Sequence, residues 1–334
     1  IYKDRDFCDD FMGRIPVIFI SLKSVTGRDF NEAYNQLAFL ISSLAGNYRY
    51  LRNSAFLEDD ERQQYLDLLD FELLKDQSDR TILLNSLTTL TKLLYKHHQI
   101  EPMLLIDEYD VPIAKSTTDG FYRDMLDVIG PFLGSALKTN EFVGRTVLTG
   151  CLRAAKESIF TGLNNFKISS VLDSWDDSFS SGIGFTEDET RNVLSYYGLS
   201  DYFDIVRNNY DGYTFGSVHM YCPWDVMSFC DDAYRKDRRK EHVVVPENYW
   251  INTSGNDVIE EYLGVIEAKN MEKMQDLLDG GSVVTPVRPQ LCYGDLSNHN
   301  ITDFWTLLLY TGYLTFDHKF KSPSNYDNKN ALLT

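Results

Sequence analysis

The sequence runs to 334 residues with 32 basic and 50 acidic side chains, a formal charge of −18 that on average repels nucleic-acid phosphates and anionic membrane surfaces. Hydrophobic residues make up 43% and aromatics 13%, which excludes a disordered chain and is ample for a large core. The length exceeds one typical domain, so a large α/β unit with a smaller appended domain is expected.

Five cysteines (Cys8, Cys151, Cys222, Cys230 and Cys292) are odd in number, scattered and never spaced C-x-x-C. That pattern argues against a disulfide framework or a zinc ribbon and fits a reducing cytoplasm. No apolar run reaches spanning length and no signal-peptide pattern is present, so a membrane protein is not expected. The one dense basic run, Arg235 to Lys240, reads as the solvated face of a helix, and direct nucleic-acid binding is disfavoured. The chain begins at Ile1 rather than Met and stops at Thr334 without a polar tail, so both ends read as cut from something longer.

In chain order, residues 15–22 form a short apolar, β-branched run that predicts a buried strand of a parallel sheet. Apolar spacings of three and four predict helices over Asp29–Leu44, Asp59–Leu74 and Ser78–His98. A second strand, Met103–Ile106, is closed by Asp107 and Glu108, and Pro112 bars any helix or ladder from running through it. A crossover helix is expected over Phe121–Lys138, a third strand over Arg145–Thr149 and a fourth over Lys167–Leu172. Strand and helix alternating in this way imply right-handed crossovers and a parallel sheet covered by helices on both faces.

The acidic, Ser-rich stretch 173–184 marks the expected domain boundary, with a core over residues 1–180 and a mostly helical, winged-helix-like region over 181–334. There, Thr186–Tyr197 opens with a capping box, Tyr210–Gly216 reads as tight turns, Ile301–Tyr310 as a helix and Gly312–Phe316 as a strand.

The chemistry concentrates at Asp107 and Glu108. Two adjacent acids where a buried parallel strand leaves its sheet can both reach the crevice outside the strand ends. One can hold Mg²⁺ or a water on it, while the other orients or deprotonates the water that attacks a γ-phosphate. The alternative is an Asp that merely opens the next turn. The next strand ends at Thr149, with Arg153 just beyond; a hydroxyl and a guanidinium there suit phosphate sensing and charge stabilisation, or a strand-end hydroxyl and an ordinary ion pair. None of the 20 glycines is followed by Lys, so no G-x-x-x-x-G-K-[ST] loop occurs and a phosphate cradle is expected upstream.

Several segments carry a resemblance: Pro16–Lys23, Leu104–Ile113, Leu148–Asn165, Tyr210–Gly216, Cys222–Val226 and Tyr249–Asn256. In order and content they resemble the AAA-ATPase-like family of P-loop NTPases, whose members carry a phosphate-binding loop at the start and often a PD-(D/E)XK nuclease-like domain at the end. The resemblance implies ATP and Mg²⁺ as cofactors, with Asp107 as metal and cofactor ligand and Glu108 as water activator. It marks Asp110, Thr149 and Arg153 as further pocket residues, and leaves open whether Arg153 acts in its own subunit or in a neighbour of a homo-oligomer. It also implies a nucleotide-dependent switch for an effector domain further along the protein, with little activity expected of these 334 residues alone.

A rival expectation is a nucleotide-independent interaction scaffold that keeps the ATPase fold. A scaffold has no physical need for two adjacent carboxylates at a desolvated strand end. The segment Ile266-Glu-Ala-Lys269 superficially matches half of a nuclease site, but its surroundings are helical in spacing, whereas that chemistry needs Glu and Lys on one face of a strand.

Overall fold

The computed structural model describes residues 4–138, 140–152, 166–170, 182–215, 218–238, 245–249, 259, 262–264, 268–316 and 330–333. The chain divides into two compact units, one made of Ile1–Phe166 with Gln290–Asn298, the other of Lys167–Pro289 with His299–Thr334.

The first unit begins with helix α1 (Arg5–Phe11), strand β1 (Val17–Ser21) and helix α2 (Phe30–Gly46). Asp29 caps α2 by accepting from the Glu32 amide, while Glu32 reaches back to the Arg28 amide. The single helix expected over 59–74 is two, α3 (Asp59–Leu69) and α4 (Phe71–Leu74), because the Asp70 carboxylate accepts from the Leu73 amide and starts a new helix instead of extending the old one. The helix expected over 78–98 likewise divides into α5 (Thr81–Leu84) and α6 (Ser86–His98), where the Asn85 side chain turns back to the Thr81 carbonyl. Strand β2 (Met103–Asp107) leads into helix α7 (Val111–Asp119), with Pro112 in the first turn, where a missing N–H costs no hydrogen bond. Helix α8 (Tyr122–Lys138) then returns the chain to strand β3 (Arg145–Leu148).

The three strands pair in parallel in the order β1-β2-β3, so β2 is central, with Ser21 level with Asp107 and Ile106 level with Leu148. Helices flank the sheet on both faces, with unequal coverage. Ile18, Ile20, Leu104 and Ile106 are buried, and α2, α6 and α8 pack together and bring Leu37, Ile41, Leu87, Leu90, Val128 and Phe132 to that core. On the other face Val17, Phe19 and Val147 remain 43%, 58% and 51% exposed. The fourth strand expected over 167–172 does not form where it is described: 167–170 are irregular, and 171 and 172 lie outside the described residues.

Away from the sheet, Glu61 of α3 is 3% exposed and binds Lys92 at 3.1 Å and Lys96 at 2.5 Å on α6, while its second oxygen accepts from the Glu58 amide. Burial pushes the Glu61 carboxyl up, but the hydrogen bonds from Lys96, the Glu58 backbone and Lys92 together leave it below its ordinary value.

The second unit opens with helix α9 (Glu187–Tyr196), capped reciprocally by Thr186 and Glu189, followed by helix α10 (Phe203–Tyr210). Residues 211–215, expected as turns, form strand β4 (Asp211–Phe215), which pairs antiparallel with β5 (Val218–Tyr221). The aromatic residues of that segment favour extended backbone when a partner strand is present, and this overrides the turn signal of Gly212. With helix α11 (Pro223–Arg238) these elements enclose a core of Leu194, Phe203, Val206, Tyr221 and Phe229. The basic run lies partly on α11, where Arg235 pairs with Asp231 and Lys236 with Asp232.

Helix α12 (Ala268–Leu278) contains Lys269, so that half of the Glu-x-Lys motif is helical as its spacing predicts; Glu267 lies outside the described residues. Strand β6 (Val283–Pro286) precedes a short helix of the first unit, α13 (Tyr293–Leu296), and then helix α14 (Ile301–Tyr310), before pairing with β7 (Asn330–Leu333). Residues 312–315 form a turn and irregular backbone rather than the expected strand, because after α14 the amides of Tyr313 and Leu314 both bond back to the Leu308 carbonyl. No described helix is long and apolar enough to cross a membrane.

Replacing Glu61 by Gln is expected to lower stability by about 2 kcal/mol near neutral pH, since charge-assisted bonds to a buried carboxylate are lost. Because the folded-state pKa is depressed, this contribution is present above the ordinary carboxylate pKa and vanishes as pH falls through the folded value. Urea unfolding of parent and variant across that range should show the gap closing in acid.

Candidate functional site

The site is built where β2 leaves the sheet. The four residues Asp107-Glu108-Tyr109-Asp110 leave the central strand and meet the four residues Thr149-Gly150-Cys151-Leu152 leaving β3. The two stretches are interlocked by backbone and side-chain bonds. The Thr149 amide donates to the Ile106 carbonyl at 2.9 Å, and the Tyr109 amide donates to the Thr149 carbonyl at 3.1 Å. The Thr149 hydroxyl donates to Asp107 Oδ1 at 2.5 Å. Asp107 and Thr149, proposed from sequence to share a pocket, are thus directly bonded at the carboxyl edge of the sheet.

Glu108 follows with a backbone φ of +51°, in the left-handed region that a residue with a Cβ enters only at a cost. One of its carboxylate oxygens is buried and has no hydrogen-bond partner among the described residues. The other lies 3.9 Å from Lys23 Nζ. Burial raises the Glu108 carboxyl above its ordinary value, Lys23 lowers it, and the neighbouring Asp107 and Asp110 raise it further.

Asp110 is 1% exposed, its carboxylate turned into the protein. Its Oδ2 accepts from the Cys151 amide at 2.8 Å, the Leu152 amide at 2.9 Å and the Tyr293 hydroxyl at 2.8 Å. Burial raises the Asp110 carboxyl, and these three donors oppose the rise. Tyr109 is also buried and donates its hydroxyl to the Leu152 carbonyl at 2.7 Å. Arg153, the remaining residue proposed from sequence, lies outside the described residues.

Sequence reasoning missed three contributors. Lys23 follows β1 in the 3₁₀ turn Leu22–Ser24, and its signal was its place at the same strand-end edge. Gly150 is required by contact: a Cβ there would lie 2.5 Å from the Tyr109 ring and 2.7 Å from Asp110 Oδ1. Tyr293 carries no local signal, being 183 residues from Asp110 along the chain.

Among the described residues no group of three or more His, Cys, Asp or Glu side chains could hold a metal by itself. What the strand ends offer is one or two hard carboxylates beside a hydroxyl. That donor set matches Mg²⁺, which keeps several waters and takes few protein carboxylates together with phosphate oxygens, and not an all-protein cage.

Gly150→Ala is expected to destabilise the protein by about 1–3 kcal/mol, because Tyr109 and Asp110 are both anchored and cannot make room. A thermal melt of the variant at the parent's transition temperature would count against the interlock.

Residues 3–160, just under half of the chain, match a family model described as predicted AAA-ATPase. No curated protein and no solved structure matches the chain. The matched span takes in all three parallel strands and both stretches of the interlock and ends well before Tyr293. Residues 3–160 therefore constitute an AAA-ATPase-like P-loop NTPase family domain.

Proposed function

We propose that the chain is the ATP-binding and ATP-hydrolysing part of a nucleotide-dependent switch, acting in the cytoplasm on an effector attached further along a longer protein. The observation that carries this reading is Glu108: a strained backbone and a buried carboxylate oxygen without a partner, next to a second carboxylate at the end of the central strand. Strain of this kind costs about 1–2 kcal/mol and persists only where the surroundings enforce it. Packing alone gives no reason to keep an acid there.

In this reading Asp107 holds the magnesium or a water on it, and Thr149, already bonded to Asp107, reports on the γ-phosphate. Glu108 orients the attacking water and accepts its proton; a carboxyl raised by burial is a better base than one left in water. Lys23 limits that rise and stands close enough to compensate developing negative charge. Arg153 is assigned to the transferring phosphate. Bound magnesium would neutralise charge on the phosphate oxygens. The phosphate cradle is assigned to residues upstream of this sequence, since no Gly-Lys pair occurs within it.

The test uses a protein that carries the upstream phosphate loop. With Mg²⁺ it should hydrolyse ATP, and Glu108→Gln should lower kcat by about a hundredfold or more while the nucleotide-induced rise in Tm persists. Turnover unchanged in Glu108→Gln removes the role given to that residue. A parent with neither turnover nor a nucleotide-induced shift in Tm is instead the scaffold.

Stability supplies a second check. A raised folded-state pKa means that the contribution of Glu108 is full below the ordinary carboxylate pKa and is lost as pH rises through the folded value. Glu108→Gln should therefore be more stable than the parent at neutral pH and converge with it in acid. Glu108→Gly, which also relieves the left-handed backbone, should melt no lower than the parent while losing turnover.

A further inference from the structure

The first unit is not one continuous stretch of chain. Residues 290–298 belong to it although they come more than a hundred residues after the rest. The segment is well seated: Leu291, Cys292, Tyr293 and Leu296 are buried, and its helix α13 packs on α7. Gly294 approaches the Tyr122 hydroxyl so closely that a Cβ would lie 2.7 Å from it. From this segment the Tyr293 hydroxyl reaches the strand ends and donates to Asp110 Oδ2. Burial and the Asp110 charge both hold that phenol well above its ordinary pKa, so it stays a donor.

We infer that Tyr293 is a positioning residue of the nucleotide site. It acts through Asp110 on the loop 149–152, and so on the Thr149 hydroxyl that faces Asp107. The inference deepens the ATPase reading and rests on it for the word nucleotide; the mechanical link from Tyr293 to the loop stands on geometry alone. Asp110 Oδ2 is shared by three donors, two of them the consecutive loop amides of Cys151 and Leu152. Removing the third donor leaves the carboxylate underbonded in an apolar setting and free to shift, and the two amides move with it. Thr149, two residues before Cys151, then loses its fixed alignment with Asp107. Asp110, only 1% exposed, is in this account a support for the pocket and touches no ligand.

The assignment adds something that residues 3–160 do not contain. The chain on both sides of 290–298 belongs to the second unit, so the phenol that steadies Thr149 is covalently joined to that unit at both ends.

The experiment compares full-length parent, Tyr293→Phe and Asp110→Asn by hydrogen exchange and by ATP turnover. Phe keeps the ring and fills the seat, so the fold is expected to survive, and Asp110→Asn probes the same link from the other side. The expected result in Tyr293→Phe is about fivefold faster exchange confined to the peptide spanning Thr149–Leu152. Turnover should show a lower kcat with KM for ATP unchanged, the mark of an interaction lost from the transition state only. Exchange unchanged in that peptide, or raised equally throughout the first unit, overturns the inference. Faster local exchange with unaltered kcat in both variants overturns its link to chemistry. If the parent itself hydrolyses no ATP, the ATPase reading falls, and the exchange result alone decides whether Tyr293 governs the loop.

Discussion

A carboxylate withdrawn from water must be given donors or give up its charge. Asp110 meets that demand by gathering donors from two distant parts of the chain onto a single oxygen: the amides of Cys151 and Leu152 after β3, and the phenol of Tyr293. The bond set fixes more than one side chain. It determines where the chain goes after the second and third strands.

Glu108 shows what this rigidity permits. Its neighbours are held on both sides: Asp107 by the ladder and Thr149, Tyr109 by its amide and its hydroxyl. With both flanks pinned, the residue between them has no freedom to relax from the left-handed region, and a cost that would otherwise be avoided is tolerated. The unpartnered oxygen follows from the same geometry. The side chain is aimed by the strain, and among the described residues nothing else satisfies it. Gly150 belongs to this scheme as an absence of bulk, since any side chain there would strike the two anchored residues opposite.

How much of this was legible in the sequence depended on the range of the interaction. The parallel strands could be read because short β-branched runs separated by helical spacing leave few alternatives, and β1, β2 and β3 lie where those runs are. Helix ends were misread where one polar side chain decides between continuing and restarting, as at Asp70 and Asn85, because apolar spacing carries no record of such a choice. The segment 211–215 was misread as turns because a strand is stable only with a partner, and the partner, Val218–Tyr221, was not recognised as one. The positions of Asp107, Glu108 and Thr149 at the strand ends were legible from the apolar runs that precede them. The inward orientation of Asp110 was not, for nothing within ten residues of it names the three groups it binds.

The distance in sequence between Asp110 and Tyr293 also bears on how the molecule is made. The two lie 183 residues apart, and the second unit's own chain fills most of the interval. A ribosome therefore emits every strand of the parallel sheet long before it emits the phenol that completes their exits, and nascent domains otherwise tend to fold as they appear. Closing so long a loop adds little to the equilibrium cost, which grows only with the logarithm of length, but it delays the final contact. Until Tyr293 arrives, Asp110 Oδ2 has only the amides of Cys151 and Leu152 to satisfy it, so the last donor to the strand-end network is also the last to be synthesised.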